Sequence, residues 1–398
     1  MNLRLKISKK LEQLRKKYWS LYFKLLFSWR KINPQKIVFC NFTWCGYGCN
    51  PKYIAEEIIK QNLPFELVWL VKPEFLNKKD FPKEIKIVNY DDINTRFYEL
   101  STAKIWIDNV RKIHDLHKGL NKKKGQIYIN TWHGSLGIKK VDAEMKAFTE
   151  NSSWVKIRKQ DAKMTDYMIS NSEFETNVYR NSLWFDNEIC KFGHPRNDIL
   201  VNGRDGINEK VRTKLNIPNN SKIVLHVPSC RDNFDMRPIK MDYTKLKETL
   251  EKKFDKSWTV VTRFHPRCLE VFDSLIQKDT NIIDASYYPD IQELLVTADI
   301  SITDYSSCIF DFMLTKKPGF FYAVDYKEYN ITRGLYFPLE ETPFLVAQNI
   351  EELVRNIEIF DNNKYLKSVE EFLDSRDVLE DGKASERVVK LIKKVCKI

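Results

Sequence analysis

From residue 37 onward, short apolar runs alternate with helix-type segments, and this alternation constrains the fold more than any other feature. The runs are rich in Ile and Val, which is typical of buried strands. Strands that alternate with helices form parallel sheets covered on both faces. We therefore predict an α/β chain with strands at 37–40, 66–71, 85–89, 104–108, 126–131, 167–170, 188–192, 222–227, 258–263, 281–284, 300–303 and 319–322.

The stretch 199–221 is polar and rich in turn residues, and it predicts a passage between two domains. The strand–helix pattern repeats after it, which indicates two Rossmann-like halves. Ligands of such sheets bind beyond the carboxyl ends of the strands, so we expect a cleft between the halves. The predicted divisions are an N-terminal segment 1–36, a first domain 37–200, a second domain 201–380 and a C-terminal helix 381–398.

Charge is concentrated at the N-terminus. Residues 1–36 hold eleven of the 66 Lys and Arg residues but one of the 54 Asp and Glu residues. Leucines and aromatic residues are interleaved with these bases, which favours a basic amphipathic helix on an anionic membrane surface, formed by residues 1–31. The alternatives are a basic helix packed on its own domain and a nucleic-acid-binding arm. The near-neutral remainder of the chain disfavours nucleic acid.

The cysteines point to the cell interior. The eight are scattered, with no Cys-x-x-Cys pair and no signal peptide with a small-residue cleavage site, which favours a reduced cytoplasmic protein. No run approaches the ~18 apolar residues of a membrane-spanning helix. His114 and His117 lack an obvious third ligand, so we predict no metal site.

The stretch 300–313 predicts a strand, a tight turn and a helix. Asp304, Ser306 and Ser307 occupy the turn. The first turn of a helix offers unpaired backbone N–H groups, and serine hydroxyls add donors, so a phosphate is favoured there. An ordinary capped helix explains the local sequence equally well, because Asp and Ser are common N-caps.

Polar residues follow several other predicted strands. His133, His194 and His265 follow three of them, and histidine can deprotonate a hydroxyl near neutral pH. Arginines follow as well, and arginine pairs with phosphate through two hydrogen bonds. The set suggests phosphoryl or glycosyl transfer from an activated nucleotide. Each residue also has a structural interpretation: turn histidines, loop residues, surface ion pairs and, for His226, a place inside a strand.

These motifs occur in an order that resembles the CDP-glycerol glycerophosphotransferases, which prime or polymerise wall teichoic acids and related polymers. The resemblance covers about residues 125–340. Its carriers are Thr131–Gly134, Gly193–Asp198, Pro228–Asp232, Arg263–Pro266 and, most specifically, the segment from Tyr288 through Thr303–Ser307 to Arg333-Gly334.

The resemblance implies a GT-B fold whose first domain associates with the membrane and whose second binds the nucleotide. The implied reaction moves glycerol phosphate from CDP-glycerol to a hydroxyl of a polyprenyl-diphosphate-linked saccharide or growing polymer at the cytoplasmic membrane face, and CMP leaves. No cofactor or metal is implied.

The resemblance also assigns roles to individual residues. His133 becomes the expected base for the acceptor hydroxyl and His265 a donor-phosphate contact or acid, although which histidine is the base stays open. Ser306 and Ser307 lie at the diphosphate, and Asp304 orients their turn. Weaker phosphate candidates are Arg231, Arg263, Arg267 and Arg333, and the expected acceptor side is Trp132, Gly134 and Ser135.

One departure bears on the acceptor. Many family members continue Thr-Pro-Leu-Lys after Trp-His-Gly, whereas residues 135–139 of this chain read Ser-Leu-Gly-Ile-Lys. This departure leaves the acceptor undetermined. A primase, a short capsule-type transferase and a polymerase are all consistent with the sequence. CDP-ribitol is an alternative donor, and a GT-B glycosyltransferase that uses a nucleotide sugar is an alternative enzyme. A membrane- or polymer-binding protein with an inactive transferase fold is the non-enzyme alternative.

Overall fold

The computed structural model describes residues 3–42, 44–145, 152–231, 235, 237–264 and 282–398. The described chain forms two parallel sheets. The first has the strand order β3-β2-β1-β4-β5-β6-β7. Its strands are β1 Asn33–Cys40, β2 Glu66–Val71, β3 Ile85–Asn89, β4 Ala103–Asp108, β5 Ile127–Asn130, β6 Tyr167–Ser170 and β7 Glu188–Lys191.

The second sheet has the order β10-β9-β8-β11-β12-β13, and its neighbouring strands are also parallel. Its first and fourth strands in chain order, β8 and β11, lie side by side at the centre, and β11 leads into the turn 304–307. Its strands are β8 Lys222–His226, β9 Trp258–Thr262, β10 Ile282–Asp284, β11 Ile300–Thr303, β12 Gly319–Tyr322 and β13 Leu345–Ala347.

Helices connect the strands of both sheets. In the first half they are α1 Leu3–Leu26, α2 Cys49–Lys60, α3 Ile93–Thr102, α4 Ile113–His117, α5 Ser153–Met164 and α6 Glu173–Ser182. From residue 198 on they are α7 Asp198–Asn202, α8 Ile207–Leu215, α9 Tyr243–Phe254, α10 Ile291–Thr297, α11 Cys308–Phe312, α12 Tyr326–Thr332, α13 Ile350–Glu358, α14 Asn362–Asp374 and α15 Ala384–Cys396.

Both faces of each sheet are buried, as expected for parallel strands between helices. Alternate residues of β1 show this. Ile37 and Phe39 join one apolar cluster, and Val38 and Cys40 join another on the opposite face. All four are at most 1% exposed, so residues 37–40 are apolar and buried on both faces rather than alternately apolar and polar.

The predicted α/β class with two parallel sheets is confirmed. The strands at 66–71, 85–89, 167–170 and 319–322 have their predicted bounds. The stretch 199–221 lies between β7 and β8 and is more helical than its turn-rich composition predicts, because α7 and α8 occupy most of it. Residues Gly206 and Asn216, both with positive φ, flank α8 and give the stretch its turn-like composition. The short strand β13 was not predicted, and α2 begins at Cys49 rather than near Pro51.

The C-terminal helix α15 returns to the first half. Val388 and Ile392 are fully buried in the apolar cluster that also contains Ile54 of α2. Asp198 accepts hydrogen bonds from the first two backbone N–H groups of α15, on Ala384 and Ser385, at 2.9 and 2.8 Å. The chain thus crosses from the second sheet to the first at its end.

Helix α1 lies against the first half through its last turns. Phe23 is buried, as is Phe27 just beyond the helix, and both pack edge-on against Phe97 of α3. Within the described part of the chain, none of the helices has both the length and the apolar character needed to cross a membrane.

Candidate active site

The loop after β5 carries the Trp-His-Gly sequence, and its backbone is fixed by two asparagines. Asn50, near the start of α2, donates to the carbonyls of Thr131 and Trp132, each at 3.1 Å. Asn130 accepts from the backbone N–H of Trp132 at 2.8 Å. Trp132 has a φ of +51°, which non-glycine residues rarely adopt, and these three hydrogen bonds hold it there.

The ring of His133 has one possible neutral tautomer in this geometry. Its Nδ1 lies 2.6 Å from the carbonyl oxygen of Asn109, and a carbonyl only accepts, so Nδ1 carries the proton. Nε2 therefore keeps a lone pair. Burial lowers the pKa of His133 to about 4, although the Asn109 carbonyl favours the charged ring. At neutral pH the ring is an uncharged base with Nε2 as its basic atom.

Aromatic rings enclose this histidine on two sides. The ring of Phe42 lies 4.8 Å from it and that of Trp132 lies 4.6 Å away, centroid to centroid. Asn109 fixes the loop that carries Phe42, because its Oδ1 accepts from the Phe42 N–H at 2.7 Å and its Nδ2 donates to Asn41 at 2.9 Å. No motif in the sequence marks Asn109, and its position directly after β4 is the one signal for it.

The loops of the two halves meet at Gly134 and Ser307. A Cβ placed on Gly134 would lie 3.4 Å from the Oγ of Ser307 and 3.9 Å from its Cβ. The expected acceptor side and the expected diphosphate site are therefore adjacent across the two sheets. A second contact joins the halves nearby, because a Cβ on Gly48 would lie 3.1 Å from the Pro289 carbonyl oxygen.

The predicted strand, turn and helix around 300–313 are present as β11 and α11. Ser307 stands at the N-cap of α11, but its side chain makes no capping hydrogen bond. The hydroxyl of Ser306 accepts only a long bond, 3.5 Å, from the backbone of Cys308. Local capping therefore does not account for this pair of serines.

Asp304 shapes the turn that presents these serines. It accepts from the backbone N–H groups of Ser229 and Tyr305, at 2.8 and 2.5 Å, and from the guanidinium of Arg231 at 2.7 Å. Arg231 also forms a two-pronged pair with Asp325, at 2.8 and 2.9 Å. The Arg231 guanidinium is thus held by two carboxylates, which fits a supporting position behind the turn.

Of the remaining arginine and histidine candidates, the structure describes Arg263 and Arg333. Arg263 follows β9 and donates to the carbonyl of Tyr288, and burial lowers its pKa. Arg333 lies beside the segment where the two halves pair, since the Gly334 carbonyl accepts from the Lys140 N–H at 3.0 Å. His265 and Arg267 lie outside the described residues.

The Gly193–Asp198 motif makes buried ion pairs, and one of them joins the two halves. Arg196 donates to both oxygens of Asp311, on α11, at 3.1 Å each. His194 is fully buried, and although burial opposes its charged form, the Glu175 carboxylate 2.9 Å away raises its pKa. Ser135, expected on the acceptor side, is also buried and accepts from Asn171 at 2.6 Å.

Burial also decides the role of His226. The residue lies inside β8, its Nδ1 is 2.9 Å from the Tyr243 hydroxyl, and burial lowers its pKa to about 4. These features fit the structural interpretation. Across the described ranges, no group of three or more His, Cys, Asp and Glu side chains is arranged to hold a metal ion.

Two parallel sheets that meet at their carboxyl ends, with an uncharged histidine at the junction, define a GT-B-type scaffold. The chain belongs to the CDP-glycerol:poly(glycerophosphate) glycerophosphotransferase family, whose model matches residues 22–394. This match extends well beyond the region 125–340 in which the motifs were recognised.

Individual relatives agree with the family. A teichoic acid poly(glycerol phosphate) polymerase of Staphylococcus epidermidis is 30% identical over 91% of this chain, which spans 51% of that protein. A teichoic acid glycerol-phosphate transferase of Staphylococcus aureus is 28% identical, with 90% and 93% of the two chains covered. A solved structure of the wall teichoic acid polymerase TagF, 29% identical, matches 99% of this chain and 97% of its own with a TM-score of 0.82, and it shares the GT-B fold.

Proposed function

We propose that this protein transfers glycerol phosphate from CDP-glycerol to a hydroxyl of a lipid-linked saccharide or polyol-phosphate polymer, releasing CMP. Family membership supports the donor and the reaction class. The observation that carries the mechanism is the neutral His133, with Nδ1 on the Asn109 carbonyl and a loop that lies close to Ser307.

The proposed step couples a proton transfer to a displacement at phosphorus. Nε2 of His133 takes the proton of the acceptor hydroxyl, and the hydroxyl oxygen forms a bond to the phosphorus that bears glycerol. The bond from that phosphorus to the bridging diphosphate oxygen breaks, and its electron pair leaves with CMP. Charge develops on the leaving phosphate, where the turn of Ser306 and Ser307 supplies donors. His265 remains the proposed donor contact or acid.

The donor decides between the main proposal and its alternatives. Purified protein incubated with CDP-glycerol, CDP-ribitol or UDP-sugars, together with a lipid-linked acceptor, is assayed for CMP and UDP. CMP release from CDP-glycerol is expected. Release of UDP alone would replace the proposal by a nucleotide-sugar transferase, and release of CMP from CDP-ribitol alone by a ribitol-phosphate transferase.

CMP release by the wild type and by the His133→Gln variant tests both the enzyme assignment and the role of His133. Glutamine occupies similar space but cannot act as a base, so we expect CMP release to fall about 10²-fold or more. His226→Gln serves as the matched control, because His226 lies inside a strand with its ring held by Tyr243. Absence of CMP release from the wild type would favour the inactive-fold alternative, and unchanged turnover in the His133 variant would mean that His133 is not the base.

Helix α1 supports a second proposal, that the protein binds the cytoplasmic membrane face. Leu14, Tyr18, Leu21 and Leu25 follow the three- and four-residue spacing of one helix face, and each is more than half exposed. Phe23 marks the opposite side, where the helix meets its own domain. An exposed apolar stripe on a base-rich helix suits the interface of an anionic bilayer.

Point substitutions test this proposal better than removal of residues 1–31, because removal would also take Phe23 and Phe27 from the core. Replacement of Leu14, Leu21 and Leu25 by Ser is expected to abolish most sedimentation with phosphatidylglycerol vesicles. The control replaces Val201 and Ile359, exposed apolar residues elsewhere, by Ser. Equal sedimentation of the triple variant and the wild type would end the membrane proposal.

A further inference from the structure

The segment after Trp-His-Gly leaves the first half and packs into the second. Leu136 and Ile138 are buried in the apolar cluster of Phe310, Phe337 and their neighbours. Lys139 pairs with Leu335 in an isolated antiparallel bridge, and the Tyr336 N–H donates to the Ile138 carbonyl at 2.8 Å. The first half therefore delivers Lys139 to the surface of the second half that bears the turn 304–307.

Lys139 differs from Lys36, Lys52 and Lys112, three buried lysines, in what it contacts. Lys36 donates to Glu99 at 2.7 Å, Lys52 to Asp290 at 2.7 Å and Lys112 to Asp108 at 2.8 Å. Lys139 instead has a long contact, 3.5 Å, with the hydroxyl of Ser229. In the described ranges no carboxylate lies within ion-pair distance of its Nζ. Lys139 is only partly exposed, and an ammonium withdrawn from water without a carboxylate partner favours a bound anion.

The surroundings of Lys139 favour an anion rather than another carboxylate of the chain. Asp304, the acid that faces it, is already engaged by Arg231 at 2.7 Å. Burial lowers the pKa of Lys139, and the nearby charges of Arg333 and Arg231 lower it further. The serine turn is close to it, because a Cβ on Gly134 of the same loop would lie 3.4 Å from the Oγ of Ser307.

We propose that Lys139 binds the diphosphate of the nucleotide donor, as a cation contributed by the acceptor-side half to the donor-side half. The inference rests on the proposed function and deepens it. The ligand chemistry is a nucleoside diphosphate. Because Lys139 and His133 lie on the same loop, donor binding to Lys139 would also hold that loop against the serine turn.

The test compares ligands that differ in phosphate content. Affinities of Lys139→Met and the wild type for CDP-glycerol, CDP and cytidine are measured by calorimetry, with ligand-observed NMR for the weak nucleoside. A lost charge-assisted hydrogen bond is expected to raise the Kd for CDP-glycerol and CDP roughly tenfold or more. The Kd for cytidine is expected to stay unchanged. Lys140→Met is the matched control and should leave all three affinities unchanged.

The thermal stability of Lys139→Met and the CDP affinity of Lys139→Arg provide two further tests. The Tm of ligand-free Lys139→Met should equal or exceed that of the wild type, because an unpaired enclosed charge is removed, and Lys139→Arg should restore most of the CDP affinity. Equal weakening of cytidine and CDP, or no weakening of either, would overturn the assignment. If the wild type binds UDP-sugars and no cytidine ligand, the donor proposal fails, and Lys139 is judged by the same comparison with UDP and uridine.

Discussion

A Cβ on Gly134 would lie 3.4 Å from the Oγ of Ser307, so the gap between the loop that carries the proposed base and the turn that carries the serines is one methyl group wide. One is contributed by each sheet, and 173 positions of sequence separate them. This proximity places the acceptor hydroxyl and the donor diphosphate close to one another in the proposed reaction. The room for a side chain at position 134 is therefore limited by Ser307 of the second half.

We expect Gly134→Ala to retain activity, because a single methyl group makes an ordinary van der Waals contact at this distance. Gly134→Val needs more room and should displace one loop from the other. A displacement near 1 Å can reduce turnover about 10²-fold. Gly137→Val is the control, since a Cβ there has no atom within 4 Å. Initial rates of CMP release measure the series, and a fully active Gly134→Val would contradict the proposed closeness of the two sites.

The pH dependence of turnover should reflect His133. Its pKa is lowered to about 4, so the ring remains an uncharged base well below the usual histidine range. We expect kcat/KM to stay level as the pH falls through 6.5 and to decline only toward pH 4. A profile measured from pH 4.5 to 8, with stability checked at each pH, tests this. A half-maximal point near 6.5 would indicate a solvated histidine as the base.

The same lowered pKa affects stability. In the unfolded chain this histidine titrates near 6.5, so between that value and about 4 the unfolded state binds a proton that the folded state does not. The folded state therefore loses stability as the pH falls through this window. The pKa of His226 is also lowered, so this residue adds to the loss of stability at low pH. Urea unfolding at pH 7 and pH 5 should show a smaller loss for His226→Gln than for the wild type.

Arg231 is expected to act on stability. Its guanidinium is 6% exposed and joins Asp304 to Asp325. Arg231→Gln would leave both carboxylates without their cation, which should cost about 3–5 kcal/mol of unfolding free energy. The double variant with Asp325→Asn should recover part of that loss. A phosphate-binding role alone would instead raise the KM for CDP-glycerol and leave urea unfolding unchanged.

Local sequence patterns predicted the sheets and the two loops that meet. Apolar β-branched runs specify buried strands, and residues 303–307 and 131–134 were recognised because strand ends converge in this fold. The contact of Asn109 with His133 uses a backbone carbonyl, which every residue type possesses, so no side-chain pattern signals it. The Arg196–Asp311 pair joins residues 115 positions apart. Such a contact forms only when the two halves pack together, so local sequence does not predict it. Without its partner, Arg196 has the chemistry of a phosphate ligand.

The C-terminal helix α15 should stabilise the half of the molecule farthest from it in sequence. Ile392 is fully buried against the first sheet's cluster, and Asp198 binds the start of the helix. Ile392→Ala should cost about 2–5 kcal/mol because a cavity forms in that core. Lys390→Ala, an exposed change on the same helix, should stay within about 0.5 kcal/mol of the wild type. Urea unfolding compares the two variants, and equal values would mean that α15 contributes little to the first half.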